Sequence, residues 1–146
     1  MRVITTGLIL SVLSAPVFAG DLEDQIAFRK GYWQVVKHEF GDVMAAMLRE
    51  KRPMDARRFA EAATRLSALA PLAAETFPEG SVSDESRALP EIWEDEAGFA
   101  EALATYETRI VDLQAAVNSG DQSQIGPAFK AVGGSCKNCH DNYRAE

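Results

Sequence analysis

From Leu22 onward, apolar residues recur in alternating steps of three and four, at Leu22, Ile26, Trp33, Val36, Phe40, Val43 and Met47, with Arg29 completing the series. That period lays one stripe along one side of a helix. Asp21 is a candidate N-cap and Lys51-Arg52-Pro53 a stop, so a first helix of about eight turns is predicted. A second segment, the shortest and richest in alanine, starts near Asp55, carries Phe59, Ala62, Ala63, Leu66 and Leu69 on one face, and ends before Pro71. Between Pro71 and Pro90 the chain is rich in Pro, Gly and Ser, which opposes helix and strand alike and predicts a long connection. A third helix is expected from about Glu91 or Asp95 to Asn118, with Phe99, Leu103, Tyr106, Ile110, Leu113 and Val117 on its seam, closed by Asn118-Ser119-Gly120-Asp121. The last helix places Ile125, Phe129, Val132, Cys136, Cys139 and Tyr143 in the same stepped series, with Gly126-Pro127 blurring its start. Four amphipathic helices, no period-two strand pattern, two short connections and one long one predict an all-α, antiparallel four-helix bundle. Gly133-Gly134 in mid-helix breaks local propensity and calls for a reason, such as the close approach of a bulky neighbour.

The first stretch has another character. Met1-Arg2 is followed by an apolar run from Val3 to Leu13 and by Ala15-Pro16-Val17-Phe18-Ala19, the pattern of a secretory signal peptide cut after Ala19. Residues 1–19 are therefore read as a leader and 20–146 as the bundle domain. Without Arg2, the only charge in the leader, 14 basic residues face 22 acidic ones and the net charge is −8. Such a chain cannot neutralise many phosphates, which argues against nucleic-acid binding. No later apolar run approaches the roughly 18 to 20 residues of a membrane span, so no membrane partner is expected.

Both cysteines of the chain lie in Cys136-Lys137-Asn138-Cys139-His140. On a helix these positions are i, i+3 and i+4, so Cys136, Cys139 and His140 project from one strip within about one turn. Haem c requires that arrangement: two thiols form thioethers with the vinyl groups and the adjacent imidazole reaches the iron. The chain is accordingly predicted to carry one covalent haem c near its C-terminus. A thioredoxin-like pair would need a preceding strand, and a closed zinc site would need a fourth ligand, with His38 distant in sequence and off the first seam beside Lys37 and Glu39. By elimination His140 is the axial metal ligand, with Lys137, Asp141 and Arg144 around the haem edge or proximal face.

The opposite side of the iron decides the chemistry. Arg29 interrupts an apolar stripe, and a buried guanidinium is costly unless an anion meets it; a haem propionate is such an anion, and a side chain snorkelling to water is the alternative. One turn on stands Trp33, which is no iron ligand, while Met44, Met47 and Met54 begin about four turns after Arg29. A five-coordinate iron beneath a crowded apolar pocket that admits small diatomic gases follows, with Trp33 on its distal side. The alternative is a six-coordinate, low-spin electron carrier using Met44 or a lysine; a haem-free dithiol module is a third. The carboxylates form no recognisable catalytic motif, so an enzyme is not expected.

The run from Val132 to Arg144, together with Pro90-Glu91-Ile92-Trp93, Phe40-Gly41 and Phe28-Arg29, resembles the cytochrome c′ family, the class II c-type cytochromes, themselves a standing example of the up-down-up-down bundle. The resemblance implies thioethers at Cys136 and Cys139, proximal ligation by His140, a propionate contact at Arg29 with Lys30 beside that edge, a distal apolar residue at Trp33 and a proximal-pocket base at Arg144. It also implies a periplasmic homodimer formed through the first helices, nitric oxide or carbon monoxide as ligands, electron transfer as a second role, and an unidentified redox partner. Low-spin relatives place a methionine on the first helix near the position of Trp33, and this chain has none there. Asp84, Glu85 and Trp93 are further candidates to line the haem.

Overall fold

A computed structural model of the chain describes residues 22–146; the leader over 1–19 and the expected Asp21 cap lie outside the described residues. The first rod is a continuous helix in three sections: α1 (Leu22–Lys37), a π-helical stretch (His38–Met44) and α2 (Ala45–Leu48). It ends before the expected stop at Lys51, with Glu50 turned to a φ of 56°. The buried seam runs through Ile26, Arg29, Tyr32, Val36, Glu39, Val43 and Met47. Leu22, which the periodicity placed on the seam, is 42% exposed, and Trp33 and Phe40 are half-buried. Glu39 is buried because the second rod brings two guanidinium groups to it: Arg58 Nη2 donates to Oε2 at 2.7 Å and Arg65 Nη1 to Oε1 at 3.1 Å.

That second rod, α3 (Ala56–Leu69), begins where it was expected, and Asp55 caps it, its Oδ1 accepting from Arg58 N–H at 2.9 Å. The connection is more helical than its composition suggested. Two 3-10 turns, Ala70–Leu72 and Ala74–Thr76, carry it to the bundle end before it becomes irregular. A short α4 (Glu91–Glu94) then breaks at Asp95, whose side chain accepts from Gly98 N–H at 3.2 Å and starts α5 (Glu96–Ser119). Gly120, at φ 71°, closes α5 in the left-handed conformation that glycine adopts without steric cost. Asp121 at once caps α6 (Gln122–Tyr143), which absorbs Pro127 in its second turn rather than starting there.

Among the described residues no strand forms; one bridge joins Ala88 to Arg144. Met44, Leu66, Ile110, Leu113 and Val132, each almost wholly buried, bring all four rods into one core. The C-terminus is tied down across the bundle end, with Leu89 N–H donating to Tyr143 O at 3.1 Å and Ala145 N–H to Arg87 O at 2.9 Å.

Candidate functional site

On α6, Phe129, Gly133, Cys136 and His140 recur in steps of three and four and share one strip. The register of this strip against the first rod is fixed by Phe40 and Phe129, whose rings stack at 4.2 Å between centroids. Neighbouring rods of an up-down bundle run antiparallel, so stepping back seven residues from Phe40 and forward seven from Phe129 puts Trp33 level with Cys136, about 10 Å from the stack. Four residues more put Arg29 near the level of His140. Long-range contacts agree: Arg29 reaches Ser86, and Ala88, two residues on, bridges Arg144.

A Cβ on Gly133 would meet nothing within 4 Å, and the same holds for Gly134. The close approach of a bulky side chain expected at this pair is not found. Trp33 turns sideways, its ring centroid 4.9 Å from Tyr32, 5.7 Å from Tyr106 and 6.2 Å from Phe77, and its Nε1–H donates to Thr76 Oγ1 at 3.2 Å. Phe77 and Tyr143 both pack edge-on against Phe99. The aromatic group around Trp33 also carries two hydroxyls, those of Tyr32 and Tyr106.

The three chemistry-bearing residues of α6 stand together as the spacing required. Cys136 and Cys139 are free thiols, both half-buried, and burial pushes both up from the ordinary thiol range; the neighbouring Cys139 adds to the effect at Cys136. Burial, and then the positive charges of Arg144 and Arg87, lower the pKa of His140, favouring the neutral imidazole that a metal accepts. Arg144 Nη1 lies 3.3 Å from Nδ1 and 3.5 Å from Nε2 of that ring. Lys137 and Asp141 form an exposed i, i+4 ion pair beside it.

Arg29 is buried, 4% exposed, so it does not snorkel to water. Its five N–H donors meet five acceptor contacts from the connection. Nε donates to Thr76 O at 2.8 Å, Nη1 to Ser81 O at 3.2 Å and Ser86 Oγ at 2.9 Å, and Nη2 to Ser81 O at 3.2 Å and to Ser81 Oγ. Its Cζ also lies 4.8 Å from the Phe77 ring centroid and 5.6 Å from that of Trp93. Among the described residues no carboxylate forms an ion pair with it, so its charge is desolvated, which lowers its pKa, and uncompensated. The connection thus contributes Thr76, Ser81 and Ser86 to the site, whereas Asp84 and Glu85 are exposed, as is Lys30. Period analysis of the first helix could flag Arg29 but could not find these partners, because serine and threonine in a polar loop carry no pattern.

Sequence reasoning also missed Asp95, Gly98 and Tyr143 as a unit. Tyr143 Oη donates to Asp95 Oδ2 at 2.8 Å, which holds the end of α6 against the start of α5 and pushes the phenol up to about 12. The approach is possible because position 98 has no side chain: a Cβ there would sit 2.2 Å from Asp95 Oδ2 and 2.6 Å from Tyr143 Oη. A glycine three residues after a capping aspartate was the signal available.

These residues fit a haem. Two free thiols and a neutral imidazole share one strip, a bare glycine surface lies one turn before them, aromatic rings stand around the level of the thiols, and an unpaired guanidinium sits near the level of the imidazole. Among the described residues no group of three or more His, Cys, Asp or Glu is placed to hold a metal ion.

A family model described as cytochrome c′ matches residues 24–144. Cytochrome c-554 from Cereibacter sphaeroides is 35% identical over 144 residues, covering 94% of this chain and 93% of that protein. Among solved structures, cytochrome c prime from Shewanella frigidimarina superposes with a TM-score of 0.82 at 36% identity, covering 86% of this chain and 98% of that one. A nitric oxide complex of a variant of the cytochrome c prime from Alcaligenes xylosoxidans superposes at 0.78 with 33% identity, covering 86% and 96%.

Proposed function

The chain belongs to the cytochrome c′ family, and from that premise we propose that it is an exported periplasmic haem protein that binds nitric oxide or carbon monoxide on the α1 side of a five-coordinate iron. Haem c is the cofactor, covalently attached, and when bound it supplies an iron that takes a diatomic ligand and exchanges one electron. Cys136 and Cys139 hold it to α6. His140, kept neutral by its surroundings, presents a ring nitrogen to the metal, and Arg144 lies against that ring. Arg29, with no carboxylate partner, offers positive charge to a propionate at the bundle end, where the half-buried Ser86 is the partner most easily exchanged.

One observation carries the open-site reading: the inward residues of α1 level with Cys136 and His140 include no methionine, histidine or lysine. These are the buried Ile26, Arg29 and Tyr32 and the half-buried Trp33, and the Tyr32 hydroxyl donates to Leu69 O at 3.0 Å. Met44, which the six-coordinate alternative would use, is wholly buried in the core eleven residues beyond Trp33, about 16 Å along the rod. His38 is exposed and lies 3.8 Å from Asp42. Nitric oxide and carbon monoxide complexes of the Alcaligenes xylosoxidans relative support the choice of gases. On the outer face of α1, Phe28 is 48% and Val35 45% exposed two turns apart, which supports a homodimer formed through this helix. No described helix is long and apolar enough to cross a membrane. The reading is one of reversible binding rather than turnover, with electron exchange as a second role.

Absorption spectra of the ferric and dithionite-reduced holoprotein, with and without each gas, test it. High-spin bands that shift on adding gas are expected; sharp low-spin bands indifferent to both gases would overturn it in favour of a six-coordinate electron carrier.

A further inference from the structure

Buried polar side chains in this bundle find partners almost throughout. Arg29, Glu39, Thr76 and Ser81 bond across elements, and Ser135 Oγ donates to Val132 O at 2.7 Å. Among the described residues two buried side-chain atoms have none, Arg58 Nη1 and Tyr106 Oη. The Arg58 guanidinium is already anchored through its other terminal nitrogen to Glu39. Tyr106 has no such anchor. It stands in the middle of α5, is 3% exposed, and its ring centroid is 5.7 Å from that of Trp33. Beyond burial, which pushes its phenol well above the usual range, the groups that act on it are Tyr32, whose hydroxyl approaches its own without completing a hydrogen bond, and Cys136. Its hydroxyl therefore lies between Tyr32 of α1 and Cys136, the first thiol of the haem strip on α6. The Tyr32 proton is committed elsewhere, donated to Leu69 O at 3.0 Å. A phenylalanine would fill the same volume without leaving a buried donor unsatisfied.

We infer that the Tyr106 hydroxyl is a hydrogen-bond donor to the diatomic gas seated on the α1 side of the site, making that pocket selective for ligands with a polar outer atom. The inference rests on the gas-binding reading and adds a specific residue to it. A donor placed there, in a dry and otherwise aromatic enclosure, strengthens as charge accumulates on the outer atom of the ligand. Loss of one ordinary hydrogen bond corresponds to roughly two- to tenfold faster escape of the gas.

The test uses the reduced holoprotein saturated with carbon monoxide, comparing wild type, Tyr106→Phe and Tyr32→Phe. The infrared C–O stretch is recorded in H2O and D2O, and the dissociation rate of the gas is measured. Expected are a deuterium-sensitive band in wild type and Tyr32→Phe, and in Tyr106→Phe a band at higher frequency, without deuterium sensitivity, with faster dissociation. Tyr106→Phe should unfold at no lower urea concentration than wild type, since it removes an unsatisfied group. Carbon monoxide that binds Tyr106→Phe with the wild-type band and deuterium response overturns the inference alone, as does deuterium sensitivity lost only in Tyr32→Phe. Wild-type protein that takes up no carbon monoxide overturns the gas-binding reading and this inference together.

Discussion

Arg29→Met isolates what the buried guanidinium does for the bundle end. Methionine keeps the length and apolar stem of the side chain but removes all five donors. Thr76 and Ser81 are 0% and 2% exposed, and their carbonyl oxygens would lose the guanidinium N–H donors that now reach them. Ser81 Oγ retains Pro78 O at 2.7 Å and Thr76 Oγ1 retains Ala73 O at 2.8 Å, so the hydroxyls are not orphaned. Two buried acceptors left open cost about 1 to 3 kcal/mol each, and release of the desolvated charge returns part of that, for a net loss of about 2 to 4 kcal/mol. For a domain of this size the loss lowers Tm by about 8 to 15 °C. Urea unfolding of the holoprotein gives the free energy, and amide exchange over residues 76–89 shows whether the connection has come loose. Arg29→Lys keeps the charge without the fork and should recover only part of the loss. A methionine variant that loses less than about 1 kcal/mol, with unchanged protection of the connection, refutes this role for Arg29.

Tyr143, held at about 12 by the Asp95 carboxylate, has a folded pKa above the ordinary value near 10, so its contribution to stability is complete below about pH 10 and is lost as pH rises through 12. Gly98→Ala drives Cβ into that contact and should return the tyrosine toward 10, read by NMR of labelled tyrosine ring carbons; alanine's better helix propensity offsets part of the stability loss, so the titration is the sharper readout. Glu39→Gln leaves Arg58 and Arg65 without their shared carboxylate and should cost about 1 to 3 kcal/mol in urea unfolding, below the full value for a buried pair because Arg65 is half exposed. Replacing both Cys136 and Cys139 by Ser should give a denatured chain whose intact mass lacks the haem that the wild-type chain retains.

The helices were legible because each buries one stripe of its own residues, and a stripe is a local property. The caps at Asp55 and Asp121 and the stop at Gly120 follow from the same local physics. Cys136, Cys139 and His140 were legible for a related reason, since three ligands within five residues on one helix need no tertiary information to be brought together. What was not legible depends on partners distant in sequence. Arg29 announced itself by interrupting a stripe, but the loop oxygens that surround it lie 47 to 57 residues away. Glu39 reads as a solvated neighbour of His38 until Arg58 and Arg65 arrive from α3. The π-helical stretch turns successive residues by a smaller angle than an α-helix does, so a strict 3.6 period cannot follow it, and the seam is shared between Glu39 and Phe40. Tyr106 was placed on the seam by period alone, which says that a ring is buried and nothing about where its hydroxyl points.

The most direct test of the account is a crystal structure of the reduced holoprotein under carbon monoxide. The account predicts a haem joined to Cys136 and Cys139, His140 on one side of its plane, and density for the gas on the other side against Trp33. A side chain from the first rod coordinated on that side, with no gas bound, would contradict it.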